Sequence, residues 1–228
     1  MADTQFWDQA LRFLNITVID IALSGDNAIV IGMAAATLPK ERRTLAIAVG
    51  GALAVLLRIG LTSVATLLML VPYLSAAGGL VLIWVVYRLL RPEPKGQGDA
   101  ARREATSFRQ AIFLIVAADF MMSLDNVIAV AGSAHGSVFL LVAGLVISMP
   151  LLMVTGGLIS NLIDRARWLI YVGAAAISFT ASRMVFEDRA IESRSGASPG
   201  LVLLVSGAAA ILVPALFILI LGPRKPKK

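Results

Sequence analysis

Stretches of about 20 apolar residues, each long enough to cross a hydrocarbon layer roughly 30 Å thick, dominate this chain. They occupy 13–36, 44–70, 73–91, 109–133, 138–160, 167–187 and 200–222, mostly separated by a few polar residues. Backbone in lipid must satisfy its own hydrogen bonds, so a span is a helix or a strand of a closed barrel. These runs are far longer than a barrel strand of about 9–11 residues. The expected fold is all-α: a polytopic membrane protein with seven transmembrane helices. Composition agrees, with 58% hydrophobic and 15% charged residues against about 45–50% and about 25% in soluble domains.

The chain has no cysteine, which excludes disulfides, thiolate metal sites and thiol catalysis. Its net charge of +6 does not point to nucleic acid, because the basic residues fall in short loops between spans. Lys40, Arg42 and Arg43, then Arg88, Arg91, Lys95, Arg102, Arg103 and Arg109, then Arg165 and Arg167, and finally Arg224, Lys225, Lys227 and Lys228 mark alternate connections. The positive-inside rule makes that side cytoplasmic, with the N-terminus outside and the C-terminus inside. Residues 1–12 begin acidic, with Asp3 and Asp8 around Phe6 and Trp7, and read as an interfacial lead-in to the first span.

Inside the apolar runs stands a polar motif that occurs twice. Asp20, Ser24, Asp26 and Asn27 recur as Asp119, Ser123, Asp125 and Asn126, all 99 positions later (119 − 20). Tyr73, Leu74, Gly78 and Arg88 recur as Trp168, Leu169, Gly173 and Arg183, 95 positions later (168 − 73). A repeat of three spans has an odd number of crossings, so its second copy enters the bilayer from the opposite side. The plan is an inverted 3+3 repeat, 13–91 and 109–187, joined by a solvated cytoplasmic linker over 92–108. The seventh span, 200–222, with Pro214 inside it, lies outside the repeat.

On a helix, Asp20, Ser24 and Asn27 share one face, as do Asp119, Ser123 and Asn126, while Asp26 and Asp125 point about a third of a turn away. Asp20 and Asp26 are about 9 Å apart along a straight helix, too far for one ion unless the helix opens. Gly25 permits such a break in the first motif; Leu124 stands in its place in the second, so any unwinding is expected to be unequal. Inversion brings Asp20 level with Asp125 and Asp26 level with Asp119. Carboxylates with Asn and Ser oxygens form a hard anionic site suited to Mn²⁺, Mg²⁺ or Ca²⁺. Because clustered carboxylates also bind protons, exchange of protons for metal is a further expectation. Intramembrane acids are functional by default, and a structural role for four of them in matched motifs is the weaker reading.

Other polar signals carry less. Arg58, in the middle of the second span, is either a counter-charge for the carboxylates or a helix-pairing ion pair. His135 reads as a loop residue. Met33, Met121, Met122, Met149 and Met153 read as packing, and Gly50, Gly51, Gly78, Gly79, Gly156 and Gly157 as close-packing positions between helices. Pro150 should kink the fifth span.

The two motifs, Asp20 with Ser24-Gly25-Asp26-Asn27-Ala-Ile-Val-Ile31 and Asp119 with Ser123-Leu124-Asp125-Asn126-Val-Ile-Ala-Val130, resemble those of the TerC family, and the short length resembles its compact bacterial branch. The resemblance covers nearly the whole chain. It implies a place in the bacterial inner membrane, kinship with LysE-type exporters, and export of Mn²⁺ as transported substrate with no permanently bound cofactor. The carried-over acidic residues are Asp20, Asp26, Asp119 and Asp125, with Asn27 and Asn126 beside them.

The leading expectation is thus a secondary transporter, not an enzyme. Its partners are a divalent metal ion and the lipid bilayer, with no nucleic acid, and self-association into a homo-oligomer stays open. Two other readings compete: an intramembrane aspartyl hydrolase, since paired aspartates can share a proton and activate water, and a non-transporting scaffold linked to tellurium resistance.

Overall fold

The computed structural model describes residues 24–64, 71–91, 100–133 and 138–222, together with Asp20, Leu68 and a few positions between 11 and 18. Side chains at 62, 63, 100–106 and 124–141 are outside that description, so Asp125, Asn126 and His135 lie outside the described residues.

Every described element is helical: α1 (Gly25–Ala35), α2 (Lys40–Ser63), α3 (Leu74–Leu90), α4 (Ala100–Ser133), α5 (Val138–Arg165), α6 (Leu169–Phe186), α7 (Arg189–Ser195) and α8 (Pro199–Leu221). Four of them, α2, α5, α6 and α8, contain stretches long and apolar enough to cross a membrane. Helix α3 has 17 residues, about 25 Å of rise. Helix α4 begins inside the expected linker, because Ala100-Ala-Arg-Arg-Glu-Ala-Thr holds good helix formers. The Pro- and Gly-rich breakers are confined to 92–98.

Two ends follow their local chemistry. Ser198 accepts from Leu201 N at 3.3 Å with Pro199 at the first helical position, which starts α8. Asp188 accepts from Ala190 N at 2.9 Å to start α7, and Gly196, at φ 58°, ends it. The buried second oxygen of Asp188 accepts from Ala76 N at 3.2 Å, and the Arg194 guanidinium lies 5.7 Å from the Tyr73 ring centre. Helix α7 therefore docks on the start of α3. Its seven residues hold no apolar run, and hydropathy did not announce it.

The main core joins α1, α3, α4 and α6 through Val30, Met33, Leu82, Val86, Ile115, Met122, Ile177 and Met184. The principal helix pairs are α1 with α5, α2 with α4, and α3 with α6; α8 covers α6. Of α8 only Val202, Ser206 and Pro214 are buried, while Leu204 and Leu219 are 73% and 82% exposed. A helix apolar all round yet so exposed has the character of a membrane-crossing helix at the edge of the bundle.

Glycines set the approach of these pairs, as expected. A Cβ on Gly32 would lie 2.5 Å from Ile159 Cγ2 and 2.9 Å from the Gly156 carbonyl oxygen, and one on Gly156 would lie 2.5 Å from Ile31 Cγ2. Gly50 faces Ile115 at 3.0 Å, Gly51 faces Met153, and Gly78 faces Met184 at 2.8 Å. Gly157 differs, meeting only Ile47 at an ordinary 3.9 Å. On Gly79 a Cβ would run into the backbone carbonyl of Ala181, which cannot swing aside. Gly79→Ala should therefore cost about 1–3 kcal/mol in chemical unfolding from detergent, whereas Gly25→Ala, with nothing within 4 Å, should meet no clash.

Arg43, taken from the sequence as a loop charge, is instead buried. Nη1 and Nη2 donate to the two oxygens of Asp164 at 2.7 and 3.0 Å, and Nε donates to Leu38 O at 3.0 Å. The guanidinium thus ties the α1–α2 connection to the end of α5. Arg43→Ala should lower stability by about 2–3 kcal/mol, the scale of charged hydrogen bonds lost from a partly buried site. The same unfolding assay reads it.

Candidate functional site

The backbone of the first motif leaves helical geometry at Ser24. Asp20 and Ser24 are joined by a helical bond, Ser24 N to Asp20 O at 2.9 Å. Ser24 then sits at φ −103°, ψ 10°, and α1 begins at Gly25. Helix α4 passes through Asp119, Ser123 and Leu124 without interruption. The two motifs are therefore unequal, as the Gly25/Leu124 difference suggested. Gly25 itself has no positive φ; the irregularity sits one residue earlier.

Four residues between Asp and Ser place each serine over its aspartate. Ser24 Oγ donates to Asp20 Oδ1 at 3.4 Å, and Ser123 Oγ donates to Asp119 Oδ2 at 3.3 Å. From α2, Arg58 enters between the two acids. Its Nη1 donates to Asp20 Oδ1 and its Nη2 to Asp119 Oδ1, both at 2.5 Å, and Nη1 also reaches Ser24 Oγ at 3.0 Å. Asn27 Nδ2 donates to Asp119 Oδ1 at 2.9 Å. From α5, Ser148 Oγ donates to Asp20 Oδ2 at 2.5 Å.

None of these side chains exceeds 3% exposure. An isolated charge so buried would be very costly, and only mutual pairing with hydrogen bonds makes the cluster tenable. With all three groups ionised, Asp20, Arg58 and Asp119 together carry one net negative charge. Asn27 Oδ1, also buried, has no hydrogen-bond partner among the described residues. A buried acceptor left unpaired costs stability unless something else binds it.

Asp26 turns away from this cluster, as its helical position requires. It accepts from Asn27 N at 3.0 Å and from Thr180 Oγ1, on α6, at 3.3 Å. Such a carboxylate in the first turn of a helix also faces the favourable end of its dipole. Of the level pairs deduced from inversion, Asp20 with Asp125 lies outside the described residues, while Asp26 and Asp119 lie close enough to repel each other. Asp119 is reached from the first motif by Asn27, the neighbour of Asp26, and the sequence-equivalent acids Asp20 and Asp119 grip one guanidinium. Arg58 causes this, because its two-pronged head spans both carboxylates.

The structure thus brings together Asp20, Ser24, Asn27, Arg58, Asp119 and Ser123, and places Asp26 beside them on the α6 side. Arg58 is a counter-charge and a helix-pairing group at once. Ser148 was missed, although a hydroxyl in an apolar run two residues before Pro150 was the signal available. The methionines Met33, Met122 and Met149 are core residues. Among the described residues no group of three or more His, Cys, Asp or Glu side chains is arranged to hold a metal.

The chain is 41% identical over 182 residues to "Uncharacterized membrane protein YjbE" of Bacillus subtilis, covering 80% of this chain and 82% of that one. It is 29% identical over 181 residues to "UPF0053 inner membrane protein YgdQ" of Escherichia coli K12, covering 72% and 74%. No solved structure matches. Residues 5–227 match the family described as "Integral membrane protein TerC family", so a chain of apolar helices wrapped around buried acids belongs to the TerC family of integral membrane proteins.

Proposed function

We propose that the protein is a secondary transporter that carries a divalent metal cation, Mn²⁺ foremost, out of the cytoplasm. The observation that supports this best is the buried cluster itself: two carboxylates on α4 and just before α1, with Asn27 Oδ1 left unpartnered beside them. Oxygen donors without sulfur suit a hard ion, and intramembrane acids mark ion pathways.

Seven spans arranged as an inverted 3+3 repeat remain the frame of the proposal. Exchanging α1 with α4, α2 with α5 and α3 with α6 turns the α1–α5 contact into the α4–α2 contact and the α1–α6 contact into the α4–α3 contact. The α1–α4, α2–α5 and α3–α6 contacts map onto themselves. A pseudo-two-fold axis would produce such an exchange and would bring the acids of the two halves to the centre, which supports this reading. Loop charges argue for an outside N-terminus, a cytoplasmic C-terminus and efflux from the cytoplasmic face. Asp125 and Asn126 belong to the proposed ligand set by their motif.

The hydrolase reading finds less support, since an aspartyl pair must share a proton and here a guanidinium stands between Asp20 and Asp119. Proteoliposomes preloaded with Mn²⁺ decide the matter. Metal loss that depends on the protein is the expected result; cleavage of a membrane peptide with no metal loss would overturn it.

A further inference from the structure

We propose that Arg58 is the resident occupant of the metal site, a tethered cation that an incoming divalent ion must displace. The inference rests on the metal-transport reading and specifies how that site works.

The bonding on the two acids is nearly matched. Each Oδ1 accepts from Arg58 and from one neutral donor, Ser24 for Asp20 and Asn27 for Asp119. Each Oδ2 accepts from a serine, Ser148 or Ser123. The inner edges of both carboxylates are thus taken by the guanidinium. Of these donors, hydroxyls can turn to offer a lone pair, and the Asn27 carboxamide already has an unpartnered oxygen. A guanidinium has no acceptor to offer. It alone must leave.

Charge leads to the same step. With its groups ionised, the Asp20–Arg58–Asp119 trio is −1 with Arg58 in place. Adding a divalent ion without removing Arg58 would give +1 in a medium that screens poorly, with two cations side by side. Exchanging one for the other gives zero. The repeat supplies no equivalent guanidinium, because the positions 95 and 99 residues beyond Arg58 are Met153 and Gly157. Arg58 is therefore the internal counter-ion of the empty carrier, and it lets the acids face one another without cargo.

Mn²⁺ binding to the purified full chain, by calorimetry, together with Mn²⁺ efflux from proteoliposomes, tests this. Arg58→Gln should bind Mn²⁺ roughly tenfold or more tightly than the unaltered protein, yet release it more slowly, with efflux down by a similar factor. Asp119→Asn should weaken binding, so the two changes move affinity in opposite directions. A merely structural arginine would weaken both binding and efflux when replaced. If Arg58→Gln does not fold, Arg58→Lys decides, since a compact ammonium cannot bridge both acids and should also bind metal more tightly. Equal or weaker affinity in the folded variant overturns the inference. Absence of Mn²⁺ binding by the unaltered protein overturns the transport reading itself.

Discussion

Asp119→Asn is expected to cut metal efflux from proteoliposomes about 100-fold or more while leaving the protein folded. The change removes one of the two carboxylates that Arg58 joins, and with it the negative charge that remains unbalanced in the resting cluster. What is left is a single Asp20–Arg58 pair of zero net charge, hydrogen-bonded by Ser24 and Ser148. The new carboxamide can still accept through its oxygen from Arg58 and Asn27, so few buried polar atoms are orphaned. Stability should stay close to that of the unaltered protein. Cargo affinity should not, because a divalent ion now meets one carboxylate. Unfolding and efflux measured on the same preparation check both halves, and unchanged efflux with an intact fold would remove Asp119 from the site.

Arg58→Met is expected to do the reverse to stability. The apolar replacement keeps much of the side-chain volume but strands two carboxylates at no more than 3% exposure. Breaking a buried ionic cluster by removing one partner costs about 3–5 kcal/mol, because the surviving charges are left uncompensated. Chemical unfolding in detergent without metal reads the loss. Adding Asp119→Asn to Arg58→Met should recover part of it, since one of the stranded charges disappears, and that non-additivity is the signature of direct coupling. Two independent, additive losses would mean that Arg58 and Asp119 do not act together.

How much of this was written in the sequence depends on the kind of interaction. Helical spacing was enough to put Asp20, Ser24 and Asn27 on one face, Asp119 and Ser123 on another, and Asp26 off to the side, because those relations are fixed within one helix. The same spacing could not choose between two roles for Arg58 or find Ser148. Both depend on which helices meet, and hydrophobic periodicity records only that a face is buried. Arg43 shows this limit in the first turn of α2: its charge beside a short connection suits a topology marker, and only the nearby Asp164 and the Leu38 carbonyl turn it into a clamp. Helix α7 was invisible for the opposite reason, since it has no buried residue to leave a pattern.

The exchange of partners between the halves has a consequence for how the chain is made. Because α1 lies on α5 through Gly32 and Gly156, and α2 lies on α4, helices α1 and α2 emerge from synthesis before the surfaces they fit exist. The Asp20–Arg58 pair, by contrast, is complete within that first segment and can enter the bilayer already neutralised. Asp119 is synthesised later, and its ion pair with Arg58 is one of the contacts that join the later helices to the earlier ones.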